Sequence, residues 1–368
     1  MTDLLQLLIF GTVLGSIYAL GAVGVSLAFG ILRFANFAHG AMMTLGAYFA
    51  LILVRDIGIP KPLSLPLGQL GGVGLGLDIP VLFLAILLTM SAAGIALTLG
   101  YRFRQQLAGR VVIAFVGLAV AYALLSWARD AKLVDGSGSA HLAMVPAFIA
   151  AVIAMGGMAV AIDQVLYRRL RRTAPVILLI SSFGVALIVR SAVQVIWGPD
   201  SVVYDPSIQI AWQWGGLRIK PDHLTILVVT VLLVALLYLF LQKTRLGTAM
   251  RAMSDDPDLA SVTGIDTEQV IIYTWFISGG LAAAAGIFLA MDTRLIPLMG
   301  FNALLPIFAA ALVGGIGRPY GAIAGGFLVG IATETSTMII PAVYKPAVAF
   351  FFVVVILIVR PRGLFKGQ

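Results

Sequence analysis

Between Leu4 and Leu32 the chain runs 29 residues without one charged side chain, and charge-free or nearly charge-free apolar stretches recur to its end. They are His39–Val54, Ile79–Gly100, Val111–Ala128, Ala143–Ile162, Ala174–Trp197, Leu224–Leu241, Val270–Met291, Ala303–Gly317, Pro319–Pro341 and Pro346–Val359. Crossing the hydrocarbon core of a bilayer takes about 20 apolar residues. With 61% of its 368 residues hydrophobic and only 11% charged, against about 25% charged in soluble domains, this chain is not an ordinary water-soluble enzyme. No stretch alternates as a barrel strand does, and lipid leaves the helix as the other way to satisfy a backbone. The expectation is an all-α polytopic membrane protein with about ten to eleven membrane segments. Ala303–Gly317 and Pro346–Val359 are short for a full crossing, so one of them is a candidate for a re-entrant or deeply packed segment.

Charge sets the orientation. If every stretch crosses and the N-terminus lies outside, fifteen of the 24 Lys and Arg fall on the inner side, eight on the outer side, and Arg190 lies within a span. Cytoplasmic loops carry that excess, so the expected arrangement is N-terminus outside and C-terminus inside. The cluster Arg168, Arg169, Arg171, Arg172 is its firmest element. The same rule accounts for the net charge of +8 without nucleic acid. The first apolar run has Asp3 and no basic residue ahead of it, unlike a cleaved signal peptide, and is expected to remain as the first crossing. Among outer loops, Gly198–Asp222 carries Trp212 and Trp214 and suits a short interfacial helix. The chain reads as one transmembrane domain over 1–368.

Chemistry-bearing patterns are sparse. No Gly-x-x-x-x-Gly-Lys string offers a phosphate cradle, there is no cysteine, and His39, His141 and His223 lack ligand spacing. Small residues four apart (Gly11 with Gly15; Gly317, Gly321 and Gly325; Gly326 with Gly330) read as sites of close helix approach. Polar groups inside spans are costly and tend to face a cavity or partner. By that criterion Asn36, His39, Arg190 and Glu334 are pathway candidates, although an interhelical hydrogen bond explains Asn36 and His39 at least as well and outward snorkelling explains Arg190 equally well. Asp163 near the Arg cluster reads as one half of a structural ion pair.

The inner loop 243–268 is the most specific segment. Asp256 is a good N-cap, Pro257 fits the first turn and Asp258 complements the helix dipole. Gly264 suits a left-handed end, and Asp266 with Gln269 resembles a capping box opening the next span. The result is a helix of about two turns, too short to stand alone. It must pack on its own protein or on a partner.

That loop resembles the coupling segment of permease subunits in the branched-chain amino acid class of bacterial ATP-binding-cassette importers, the LivH-like family. Three further blocks carry the resemblance: Asn36, Phe37, Ala38, His39, Gly40 with Gly46, Ala47, Tyr48; Gly314, Gly315, Ile316, Gly317 with Arg318, Pro319, Tyr320, Gly321; and Arg360, Pro361, Arg362, Gly363. Together they cover roughly residues 10–55 and 145–368. Residues 60–140 depart from the compact pattern as a two-helix insertion that preserves topological parity, and Ala41 stands where some relatives carry an acid.

The resemblance implies a cofactor-free, non-enzymatic subunit of the bacterial inner membrane, with ATP and Mg bound on partners. It works beside a second homologous permease, in a homo- or heterodimer, with two ATPase subunits and an extracytoplasmic binding protein. Coupling would fall to Arg251, Asp256, Asp258, Leu259, Ala260 and Gly264. The substrate class is branched-chain or related small amino acids, with urea and aromatic acids among those of related systems. An ion-coupled secondary transporter built around Glu334, or a passive channel for small amphipathic solutes, is the alternative.

Overall fold

The structure is a computed structural model, and it describes residues 2–54, 79–99, 140–171, 173–204, 211–214 and 217–359. The expected span Val111–Ala128, most of the 60–140 insertion and the Arg360–Gly363 block lie outside the described residues.

Twelve helices of six or more residues occur among them. They are α1 Thr2–Leu32, α2 Ala38–Val54, α3 Ile79–Leu99, α4 Ala140–Ile162, α5 Pro175–Trp197, α6 Pro221–Lys243, α7 Arg245–Asp255, α8 Pro257–Val262, α9 Thr267–Asp292, α10 Met299–Gly314, α11 Pro319–Thr335 and α12 Lys345–Val359. Among the described residues, five helical stretches are long and apolar enough to cross a membrane: Asp3–Leu32, Met144–Leu170, Pro175–Trp197, Pro221–Lys243 and Thr267–Asp292. These helices are those of a multi-pass membrane protein.

α9 and α2 lie at the centre. Both are buried along nearly their whole length, and α9 packs on α1, α2 and α4. α6 is peripheral, and its Leu224, Val228, Val231, Leu232, Leu236 and Leu239 are exposed, as lipid contact requires. The small residues predicted to bring helices together do so. α1 runs antiparallel to α11 with Gly15 against Gly330 and Ala19 against Gly326, and a Cβ added at Gly330 would come 2.2 Å from Gly15 Cα. Polar cross-links supplement this packing: Ser278 Oγ donates to Gly24 O at 2.8 Å, and Gly300 N donates to Thr44 Oγ1 at 3.1 Å.

Two expectations are corrected. Gly198–Asp222 holds no interfacial helix among its described residues; Trp212–Trp214 pairs antiparallel with Leu217–Ile219. Trp-Gln-Trp and Leu-Arg-Ile alternate on either side of Gly215–Gly216, which is a hairpin signal. Arg218 of this hairpin exchanges two backbone hydrogen bonds with the Gln6 amide at the start of α1, at 2.8 and 2.7 Å. Within the expected stretch Pro319–Pro341, Glu334 lies at the end of a helix rather than deep inside a span. α11 ends at Thr335, and the following residues turn through Ser336–Met338 toward α12.

Candidate coupling segment and membrane-depth polar groups

The loops joining α1 to α2, α4 to α5, α6 to α9 and α10 to α11 meet at one end of the bundle, here termed the basic end. There α6 stops at Thr244, whose Oγ1 accepts from Gly247 N at 3.0 Å and so caps α7. The chain doubles back so tightly that a Cβ on Gly247 would lie 2.4 Å from Phe240 O. α7 buries Gly247, Met250 and Met253 beneath it. Sequence reasoning did not pick out this helix, although the spacing of those residues carried its amphipathic signal.

At the far end of α7, Arg33 Nη2 donates to Ser254 O at 2.6 Å. A cation there complements the dipole. Arg33 adopts φ +58, the one positive value among non-glycine residues described, a conformation that costs a non-glycine residue on the order of 1–3 kcal/mol. The sequence reading had counted Arg33 only as a topological charge. Gly317, with φ +81, lies beside Gly30 of α1, so the Gly-Gly-x-Gly block is a turn at this same end.

α8 forms as its residues dictate. Asp256 Oδ1 accepts from Asp258 N and Leu259 N, each at 3.0 Å, and Pro257 occupies the first turn. The end is a Schellman closure: Ile265 N donates to Ala260 O and Gly264 N to Ser261 O, both at 3.2 Å, around Gly264 at φ +87. Asp266 then caps α9 by accepting from Gln269 N at 3.1 Å. Of the α8 side chains only Ala260 is buried. Leu259 is 61% exposed and Val262 84% exposed. Arg251 Nη1 donates to Gln242 Oε1 at 2.5 Å, joining α7 to the end of α6. The six predicted coupling residues therefore share one end of the molecule.

Beside them, α4 continues through a π-helical turn at Asp163–Tyr167 to Leu170. Asp163 is fully buried and pairs with Arg171, as expected of a structural ion pair. Arg171 also contacts Glu268 Oε2 at 3.0 Å, and Arg168 contacts Glu268 Oε1 at 3.2 Å. The Arg cluster thus ties the end of α4 to the first turn of α9. Its pairing with Glu268 had no sequence signal, since 97 residues separate Arg171 from Glu268.

The four pathway candidates are not brought together. Asn36 is buried; its Oδ1 accepts from Ala38 N at 3.1 Å at the start of α2 and is met by Tyr167 Oη at 3.5 Å. His39 is buried against α1, filling the space left by Gly24. Glu334 accepts from Lys345 Nζ at 2.5 Å, an ion pair that joins α11 to α12. Arg190 stands apart. It is half-buried in a helix with no other charged side chain, and no described residue offers it an acceptor or carboxylate within bonding distance. An arginine at membrane depth costs about 2.5–3.5 kcal/mol on insertion scales, so this one calls for a partner.

Among the described residues no group of three or more His, Cys, Asp or Glu converges to hold a metal ion. The geometry is that of a polytopic membrane protein with a rigidly capped short helix presented at one end. The sequence matches the family of branched-chain amino acid transport system permease components over residues 7–99 and 79–359, and the chain belongs to that family. It is 28% identical over 366 residues to the high-affinity branched-chain amino acid transport system permease protein LivH of Escherichia coli strain K12, covering 98% of this chain and 94% of that one. It is 29% identical over 371 residues to the corresponding protein BraD of Pseudomonas aeruginosa, covering 98% and 95%. A shorter similarity, 32% over 111 residues, links it to the fructose import permease protein FrcC of Rhizobium meliloti. No solved structure matches. The chain is a transport permease component and not an enzyme.

Proposed function

We propose that the chain is the translocation subunit of an ATP-binding-cassette importer for branched-chain or related small amino acids, in a bacterial inner membrane. In this reading α1 enters from outside and the basic end faces the cytoplasm, in keeping with the excess of Lys and Arg there. A second permease subunit, identical or homologous, completes the path. Two ATPase subunits grip the basic end, and a binding protein delivers substrate from outside. The segment 243–268 is the coupling loop, and 60–140 is an insertion relative to the compact pattern.

The observation that carries the reading is α8. It is fixed at both ends by Asp256 and Gly264, yet it turns Leu259 and Val262 outward. Apolar side chains held rigidly off the body of a protein fit a groove on a partner. Closure of the ATPase pair would then displace α8 and switch the path between outward- and inward-facing states. The ion-coupled alternative loses its candidate carboxylate, because Glu334 is already paired with Lys345.

Asp258→Lys combined with Leu259→Asp tests the reading in the reconstituted importer. The doubly substituted protein inserts at normal abundance, while leucine uptake and substrate-stimulated ATP hydrolysis are lost. Undiminished uptake and hydrolysis would refute it.

A further inference from the structure

We infer that the outward surface formed by α5 and α10 is this subunit's wall of the translocation path, and that Arg190 on it takes the carboxylate of the amino acid in transit. The inference rests on the importer reading above. On α5, Ile180, Phe183, Leu187, Arg190 and Gln194 follow one another at intervals of three or four residues and so form one stripe. Ile180, Phe183 and Leu187 are exposed, and Arg190 and Gln194 are half-buried. The middle stretches of α6 and α12 differ: their exposed residues, Val228, Val231, Leu232, Ala235 and Leu236 on one and Phe351, Val354 and Ile358 on the other, include no charged or amide side chain. Lipid suits those faces. A guanidinium without an acceptor among the described residues, followed one turn later by a half-buried amide, suits a surface that meets water and solute.

α10 extends the same wall. Both α5 and α10 pack on α2, and Phe37 at the start of α2 joins them: its ring centroid lies 6.5 Å from that of Phe183 and 5.5 Å from that of Phe308. Phe183 and Phe308 occupy the halves of their helices nearest the basic end. Arg190, Gln194 and the exposed Asn302 occupy the opposite halves. The wall therefore has a polar outer part and an aromatic bar below it. A guanidinium offers a planar fork that matches a carboxylate bidentately, and the aromatic rings offer an apolar surface to a Leu, Ile or Val side chain moving past them.

The chain contains no cysteine, so single-cysteine variants report their own environment. The importer is assembled with Leu187→Cys or Gln194→Cys, which keep Arg190, and with Val231→Cys or Leu236→Cys on α6 as references. Each is exposed to a membrane-impermeant methanethiosulfonate, with and without saturating L-leucine and its binding protein. The α5 positions react at least tenfold faster than the α6 positions, and leucine slows them severalfold. In an assembly that transports leucine, equal rates at the two helices would make the face lipid-exposed and overturn the inference; fast labelling that leucine leaves unchanged would overturn it as well. A cysteine-free assembly showing no ATP-driven uptake would instead defeat the importer reading, so the two failures are separable. Arg190→Gln losing affinity for leucine, read as a rise in KM, and Arg190→Lys, which keeps the charge without the bidentate fork, restoring only part of it complete the expected pattern.

Discussion

Replacing Leu259 and Val262 together by Ala removes the apolar surface that α8 offers while leaving the helix itself intact. Alanine is the best helix former, and the closures at Asp256 and Gly264 do not involve either side chain. Fully burying a Leu or Val is worth about 1.5–3 kcal/mol. Leu259 is 61% exposed and Val262 84% exposed, so docking has about 3 kcal/mol still to gain from the pair and the truncation forfeits about 2 kcal/mol of it. That loss corresponds to about a thirtyfold weaker grip on the ATPase subunits. The assay is titration of purified ATPase onto the permease in lipid nanodiscs, with ATP-driven uptake measured in parallel. Ala260→Asp serves as a contrast, since it strikes the buried foot of α8 and destabilises the loop itself. An affinity within twofold of the parent, with uptake unchanged, would refute the argument that these two residues seat the helix in a partner.

Three further outcomes follow from the packing. Gly330→Val forces a Cβ to within 2.2 Å of Gly15 Cα, a collision between backbones that neither helix can yield to, and it abolishes monodisperse protein in size-exclusion chromatography. Gly184→Ala meets nothing within 4 Å and raises thermal stability by about 0.5–1 kcal/mol through helix propensity. Arg171→Ala strands the buried Asp163 carboxylate at a cost of about 3–5 kcal/mol, read as a lowered melting temperature that adding Asp163→Ala largely restores. In the loop after α5, Tyr204 is buried and donates to Ala47 O at 2.8 Å, and burial raises its hydroxyl well above its ordinary value of 10.0. A group raised in the folded state contributes stability that is complete below its unfolded value. Its contribution to thermal stability is therefore flat toward pH 10 and falls above it, and Tyr204→Phe makes the alkaline fall shallower, without abolishing it, at a constant cost of about 1 kcal/mol.

What the sequence disclosed is what local physics determines. Apolar runs gave most helices, because a membrane crossing is a composition before it is a contact. Asp256, Pro257, Gly264 and Asp266 gave both ends of α8 and the start of α9, because each acts within a few residues of itself. The glycine spacing on α1 and α11 announced close approach but not its partner; that Gly15 meets Gly330 depends on the whole bundle. The errors have the same origin. Glu334 looked unexplained because Lys345, eleven residues on, belongs to the next helix and returns to it only in three dimensions. The tryptophans of 212–214 were weighed as interfacial anchors, and the alternation around Gly215–Gly216 was passed over. Arg33 could be counted for topology but not recognised as the clasp on α7, since its target lies 221 residues away.

The placement of α9 explains how a pull on so small a helix as α8 would reach the path. Only Thr263–Asp266 separates α8 from α9, and that link is closed by hydrogen bonds at both ends, so the two move together rather than hinge freely. α9 packs on α1, α2 and α4 and is pinned to α4 through Glu268 with Arg168 and Arg171. A displacement of α8 is thus shared with the centre of the bundle. α2, which packs on α9, is also the helix that both α5 and α10 pack upon. Phe37, immediately before its first residue, contacts both through Phe183 and Phe308. A shift of α2 by an ångström or two alters how Phe37 bridges Phe183 and Phe308, because close-packed interfaces change by discrete repacking rather than by continuous deformation. On the proposed reading the motor's grip at Leu259 and the solute's contact at Arg190 are therefore joined by one short chain of packed elements, α8 to α9 to α2 to α5.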